Sequence, residues 1–75
     1  MSIIDEVVLK TMLASKLRLL RESRGLTLRD VEEATAISNA YLCQLETGKI
    51  QNPGVFPLLK LARFYNVKLE TLVRA

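Results

Sequence analysis

Apolar residues recur along this chain at the three- and four-residue steps of amphipathic helices, and no segment alternates apolar and polar residues as a strand does. A first stripe of leucines predicts a helix over about residues 5–24. Gly25 ends it, because glycine readily adopts the left-handed conformation common at helix C-termini. The stripe consists of Leu9, Leu13, Leu17 and Leu20.

Two short helices follow, and each begins with a capping signal. Thr27 can accept a hydrogen bond from a free amide of the helix it precedes, and Asp30 three residues later completes a capping pattern. This predicts a second helix over residues 28–35. Ser38 is a second N-cap candidate and predicts a third helix over residues 39–46.

The second and third helices are joined by only three residues, Ala36, Ile37 and Ser38. So short a connection cannot let them lie antiparallel, which indicates a helix-turn-helix. In this geometry the second of the two helices can enter a DNA major groove. With Leu42 and Leu45 facing inward, four residues near its start face outward. They are Asn39, Ala40, Cys43 and Gln44.

Two more helices complete the pattern after the polar loop 49–54, whose Asn-Pro-Gly sequence is typical of a turn. Pro57 fits the first turn of a fourth helix, where a missing amide has no cost. Asn66 can close that helix, and residues 68–73 form a short fifth helix. The fourth helix buries Leu58, Leu61, Ala62 and Tyr65 in this prediction.

The outward residues of the third helix have side chains suited to DNA. Asparagine and glutamine can each make paired hydrogen bonds to adenine, and an alanine methyl can meet a thymine methyl. Both amides are also ordinary surface residues, so their joint placement is what favours a DNA contact. Phosphate contacts should surround them, although Lys49 could equally be a solvated loop lysine. The candidates for phosphate contacts are Thr27, Tyr41, Lys49 and Asn52.

Arg21 and Glu46 each lie near the C-terminal end of a predicted helix. If these helix ends pack together, the two side chains can form a buried ion pair that joins the first helix to the third. The alternative is that Arg21 faces solvent, and the residues alone leave both open.

Composition fits one small domain, which we place over residues 1–75, with 11 basic and 8 acidic side chains and a net charge of +3. Cys43 is the only cysteine and histidine is absent, which excludes an intrachain disulfide and a zinc site of the usual ligands. No catalytic base or phosphate-binding loop accompanies Cys43. We therefore expect no enzyme and no cofactor.

The apolar stretches are too short to span a bilayer, and no secretory signal is visible. We expect a cytoplasmic chain with no membrane partner. Its core must be modest at this length, so a partner subunit is the plausible reinforcement.

From Leu17 to Leu72 the chain resembles the Cro/C1 repressor family, also called the XRE family. The resemblance implies a compact, all-α, five-helix fold like that of lambda repressor, base contacts at the four outward residues, and an ion pair between Arg21 and Glu46. It also implies a homodimer on a palindromic operator in double-stranded DNA. The matching residues are 17–21, 25–27, Val31, 37–38, Leu42, 44–49, Pro53, 58–62 and 66–67.

Three residues depart from the family pattern. Leu28 stands where many relatives have a glutamine that contacts phosphate. Glu32 replaces a small residue between the two helices, and Ala36 replaces the usual turn glycine. The last two changes could alter the angle at which the helices cross, and alanine takes the turn conformation with some strain.

Residues 1–16 fall outside the resemblance, and we separate them from a family-like core at 17–73. Their apolar residues either form a dimer surface or cover the domain's own core; these are Ile3, Ile4, Val7, Val8 and Met12. The function we expect is sequence-specific DNA binding by a transcriptional regulator. The alternative is a protein-interaction module, such as an antitoxin, on the same fold.

Overall fold

The computed structural model describes residues 6–50 and 53–73, and the side chains of 12–50 and 53–72. Over these residues the chain forms helices and no strand, which confirms the all-α, five-helix prediction. The bounds agree with the sequence pattern to within one or two residues at most ends. The helices are α1 (Glu6–Ser23), α2 (Leu28–Thr35), α3 (Asn39–Thr47), α4 (Val55–Phe64) and α5 (Leu69–Val73).

Capping residues set the start of α2 and the ends of α1 and α3, and those at α1 and α2 are the ones the sequence predicts. Thr27 and Asp30 exchange hydrogen bonds in a capping box, which satisfies two amides at the start of α2. Gly25 and Gly48 have φ values of +67° and +77°, a left-handed conformation that glycine adopts without strain. These local signals explain why the helices could be bounded from sequence.

The core lies where α1, α2, α3, α4 and α5 meet. Val31 is fully buried, and Leu61 and Leu72 are each 1% exposed, so every short helix contributes side chains to one cluster. Burial of these apolar surfaces is the main stabilising contribution to a domain of this size. The cluster contains Leu13, Leu17, Val31, Ile37, Leu42, Leu45, Leu58, Leu61, Ala62, Tyr65 and Leu72.

Helix α1 runs without a break across residue 16, where the sequence suggested a division between an extra segment and the core. Leu13 and Ala14 are 8% and 5% exposed, so this part of α1 already belongs to the core. Met12 is half-buried. The side chains of Ile3, Ile4, Val7 and Val8 lie outside the described residues.

Polar contacts join the end of α4 and the middle of α5 to α1 and the residue that follows it. Arg24 donates from Nη2 to the Tyr65 carbonyl oxygen at 2.8 Å, and its guanidinium lies 5.3 Å from the centre of the Tyr65 ring. Burial raises the pKa of the Tyr65 hydroxyl. Lys16 donates to the Thr71 carbonyl oxygen at 2.8 Å.

None of the described helices has the length and apolar character needed to cross a membrane.

Candidate nucleic-acid interface

The link between α2 and α3 is fixed at both ends. Ala36 adopts a left-handed conformation, φ 63° and ψ 16°, and its amide donates to the Glu32 carbonyl oxygen at 2.8 Å. Ile37 is buried, and the Ser38 hydroxyl caps α3 by accepting from the Tyr41 amide at 3.1 Å. This arrangement holds the start of α3 in a defined position against α2.

Helix α3 has one face in the core and one face in solvent. Leu42 and Leu45 are each 3% exposed, as the sequence pattern predicts. Four other residues of α3 occupy positions i, i+1, i+4 and i+5, which lie together on the side of the helix opposite the two leucines. We call this exposed surface the reading face; it consists of Asn39, Ala40, Cys43 and Gln44.

Glu32 has a role at this surface that sequence reasoning missed. Its Oε2 atom accepts a hydrogen bond from the Asn39 amide at 3.1 Å, at the first residue of α3. A carboxylate at a helix N-terminus is favoured by the helix dipole. Glu32 therefore links α2 to α3 through a hydrogen bond, in addition to any effect on the angle at which the two helices cross. The Glu32 side chain reaches this amide only when α2 and α3 are packed together. The spacing of the residues along the sequence therefore does not reveal the contact.

Three of the four residues predicted to contact phosphate fall within the part of the chain that the structure describes. Thr27 is exposed at the start of α2, and its hydroxyl oxygen accepts a hydrogen bond from the Asp30 amide at 3.0 Å. Lys49 is exposed directly after α3, and its amide donates to the Gln44 carbonyl oxygen at 2.9 Å. Tyr41 is half-buried. Asn52 lies outside the described residues.

Asp30 strengthens the cap at the start of α2 through its charge. The Thr27 amide donates to its Oδ2 atom at 2.9 Å, and this bond together with a hydrogen bond from the Thr27 side chain to the carboxyl holds the pKa of Asp30 below its usual range. The cap orients the first turn of α2, whose amides form a partial positive charge that favours anions.

Arg21 and Glu46 come together in the structure. The guanidinium Nε lies 2.8 Å from Glu46 Oε2 and Nη2 lies 3.0 Å from Oε1, so the contact is bidentate. Its Nη1 atom donates to the Leu26 carbonyl oxygen at 2.7 Å. The hydrogen bond with Glu46 raises the pKa of Arg21. This pair fixes the end of α3 against α1 and the turn that leads to α2.

Two further cations near the helix-turn-helix were not singled out from the sequence. Lys60 donates to the Thr35 carbonyl oxygen at 3.3 Å, at the end of α2. Arg18 lines a cleft with Cys43 and Leu28. Cys43 itself is an exposed free thiol, and the described residues hold no cluster of acidic or thiol side chains able to bind a metal.

A protein-family model described as a helix-turn-helix domain matches residues 12–75. The chain is also 41% identical over 61 residues to the HTH-type transcriptional regulator DdrOP3 of Deinococcus deserti, which covers 81% of this chain and 46% of that protein. It is 35% identical over 65 residues to the uncharacterized HTH-type transcriptional regulator y4dJ of Sinorhizobium fredii, covering 87% of this chain and 83% of that protein.

A third similarity concerns a much longer protein. The chain is 36% identical over 59 residues to the glutamine–fructose-6-phosphate aminotransferase of Methanocaldococcus jannaschii, covering 79% of this chain and 5% of that protein. So small a share gives no basis for assigning aminotransferase activity to this chain. The family match begins at residue 12, five residues before the resemblance seen in the sequence, in agreement with the burial of Leu13 and Ala14.

Proposed function

The chain belongs to the helix-turn-helix family as an XRE-like DNA-binding domain, and from this premise we propose that it is a sequence-specific transcriptional regulator whose α3 enters the major groove of DNA. The observation that carries the proposal is the reading face, four exposed side chains on one side of a helix that two buried leucines hold in place. A family match over most of the chain, together with two relatives named as transcriptional regulators, supports it.

Each residue of the reading face has a distinct task in this proposal. Asn39 and Gln44 donate to and accept from adenine edges, since both carry a paired donor and acceptor. Ala40 packs on a thymine methyl, and Cys43 contacts a base edge through a small, exposed thiol. The Asn39 backbone amide is already held by Glu32, so the backbone that carries this side chain has a defined position.

Phosphate contacts set the position of α3 in the groove and supply much of the affinity. Thr27 contributes a hydroxyl at the start of α2, and Lys49 contributes a charge just after α3. Tyr41 and Asn52 complete the set. The first-turn amides of α2 add a partial positive charge on the same side of the domain.

We further propose that residues 1–75 act as one domain and bind a palindromic operator as a homodimer. Helix-turn-helix dimers contact half-sites about one DNA turn apart, so the symmetry of the operator matches that of the two protein copies. Sedimentation equilibrium on the chain alone and with a palindromic site tests this. A 2:1 protein-to-duplex complex is expected, and a 1:1 complex at saturation contradicts the dimer.

Exposed apolar side chains favour a second candidate function, a protein-interaction or antitoxin-type module. Phe56 is 75% exposed and Val55 is 57% exposed at the start of α4, and Leu19 is 68% exposed on α1. Such side chains clustered at an element are typical of contacts with another protein. DNA binding and protein binding can coexist. The two candidate functions are therefore distinguished by whether the chain binds one DNA sequence selectively and tightly.

Selection of bound sequences from random duplex DNA tests the proposed function. We expect one sequence family to be enriched, with binding that weakens steeply as salt rises because phosphate contacts release counterions. Phe56→Ser is the matched variant for the alternative, since it removes an exposed apolar side chain outside the reading face and should leave the selected sequence unchanged. Failure to enrich any sequence, with weak binding even at low salt, would contradict the proposed function and favour a protein partner.

A further inference from the structure

A cleft of about 180 Å³ lies between α1, α2 and α3, next to the reading face. Cys43 of the reading face forms part of its wall, and so does Leu28, the first residue of α2. The cleft therefore opens where the proposed DNA surface meets the start of α2. Its lining residues are Arg18, Arg21, Leu28, Cys43, Glu46 and Thr47.

The two arginines of this cleft differ in how tightly they are held. Arg21 is bound by two bonds to Glu46 and one to the Leu26 carbonyl oxygen, and its side chain is 15% exposed. Among the described residues Arg18 makes one side-chain hydrogen bond, from Nε to Glu22 Oε2 at 3.1 Å, and its side chain is 64% exposed. Arg18 therefore retains donors and freedom to turn toward a ligand.

One cation at the mouth of this cleft is accessible to an anion. Arg21 is committed to Glu46, whereas Arg18 is paired with Glu22, a carboxylate next to the cleft whose ion pair is exposed to solvent. The start of α2 adds the partial positive charge of its first-turn amides beside Leu28. An exposed arginine and the N-terminus of α2 thus lie at the same opening.

We propose that Arg18 binds a phosphate of the DNA backbone at the mouth of this cleft when α3 lies in the major groove. This inference rests on the proposed function and adds a phosphate contact from α1, a helix outside the helix-turn-helix. An arginine fork can donate two parallel bonds to phosphate oxygens, so it fixes orientation as well as adding charge. The contact sets the depth at which Cys43 and its neighbours meet the bases.

Glu22 competes with the phosphate for Arg18. Its carboxylate is 51% exposed, and exposed ion pairs four residues apart on a helix contribute little to stability. Phosphate can therefore replace Glu22 as the partner of Arg18 at little cost in free energy. Glu22 also lies 4.0 Å from Arg21 Nη2, which keeps it partnered after Arg18 turns away. The ion pair seen in the free domain is thus compatible with DNA binding by Arg18.

Salt-dependent binding to the selected duplex tests the proposal with Arg18→Ala, Arg18→Lys and Arg63→Ala. Arg63 is the matched control, because it is exposed and carries the same charge but lines a groove between α2 and α4. We expect Arg18→Ala to weaken binding about three- to tenfold at low salt and to lower the slope of log affinity against log salt by about 1. Arg18→Lys should keep the slope, and Arg63→Ala should match the original chain.

The outcomes separate this inference from the function it rests on. If Arg18→Ala and Arg63→Ala give the same slope while the original chain binds one sequence selectively, the Arg18 contact is wrong and the proposed function stands. If the original chain shows no selective binding, both are wrong. Glu22→Gln supplies an independent check, since release of Arg18 should tighten binding about two- to threefold. Unchanged or weaker binding by Glu22→Gln contradicts the proposed competition.

Discussion

The guanidinium of Arg21 and the carboxylate of Glu46 form a bidentate ion pair that joins α1 to the end of α3, with bonds of 2.8 and 3.0 Å. A third bond from Arg21 reaches the Leu26 carbonyl oxygen in the turn before α2. One side chain thus holds three parts of the domain together. The reading face begins at the other end of α3, so this pair and the Ser38 cap fix the helix at both ends.

We expect Glu46→Ala to lower the free energy of unfolding by about 3 kcal/mol, because it leaves the mostly buried Arg21 charge without its partner. Glu22→Ala is the matched control and should cost less than about 1 kcal/mol, since its pair with Arg18 is exposed. Urea unfolding followed by circular dichroism measures both. Equal losses in the two variants would show that burial does not distinguish the pairs.

The capping box at α2 should make stability depend on acid pH. The pKa of Asp30 is lowered in the folded chain, so its contribution is fully present above the unfolded-state value of about 3.9. That contribution is lost as the pH falls through the lower folded-state pKa, where the carboxylate becomes protonated. Asp30→Asn should therefore be less stable than the original chain at pH 6, and the difference should shrink on acidification below about pH 4.

Thermal unfolding at a series of pH values measures this difference. Glu33→Gln serves as a control, because Glu33 is an exposed carboxylate of the same helix that lies outside the cap. A constant difference between Asp30→Asn and the original chain across the acid range would refute the role of the Asp30 charge.

Ala36 is strained by its left-handed conformation, with φ at 63°. Glycine adopts this conformation without a Cβ clash, so Ala36→Gly should raise the free energy of unfolding by about 0.5–1 kcal/mol after allowing for the greater freedom of the unfolded chain. Ala34→Gly is the same substitution at an exposed position inside α2 and should lower stability by about 1 kcal/mol. Urea unfolding that gave the two changes the same sign would contradict this account.

Glu32 should contribute to stability through the Asn39 amide. Glu32→Ala removes that acceptor at the start of α3 and should cost about 1 kcal/mol. Glu32→Gln keeps a carbonyl oxygen but loses the charge, so its cost should be smaller. Glu33→Ala, which removes a neighbouring exposed carboxylate, should change stability by less than about 0.5 kcal/mol. The hydrogen-exchange rate of the Asn39 amide reports the contact directly: Glu32→Ala should speed it, and an unchanged rate would exclude the bond.

The order and bounds of the helices could be predicted because they depend on local chemistry. Thr27, Ser38 and Gly48 mark helix ends through bonds to residues within a few positions, and the leucine spacing indicates which side is buried. The strain at Ala36 could be predicted from the family resemblance, because alanine replaces the usual turn glycine there. These features need no knowledge of how the helices pack.

Contacts between distant parts of the chain could not be derived in the same way. Arg18 has an ordinary helix-surface pattern, and only the packed arrangement of α1, α2 and α3 places it beside Cys43. Glu32 looked like a residue that disturbs the turn, yet its length lets it reach the Asn39 amide. Division of the chain at residue 16 relied on the extent of a resemblance, whereas α1 and the core continue through that point.

The central claim is that the reading face of α3 recognises DNA bases, and binding of Gln44→Ala to the selected duplex and to duplexes changed one base pair at a time tests it most directly. We predict a loss of about 1–3 kcal/mol on the selected duplex and a loss of preference at one base position, since one paired contact is removed. Lys49→Ala, the control for a phosphate contact, should weaken binding to all duplexes alike and lower the salt slope by about 1. Equal weakening of every duplex by Gln44→Ala, with base preferences intact, would contradict the claim.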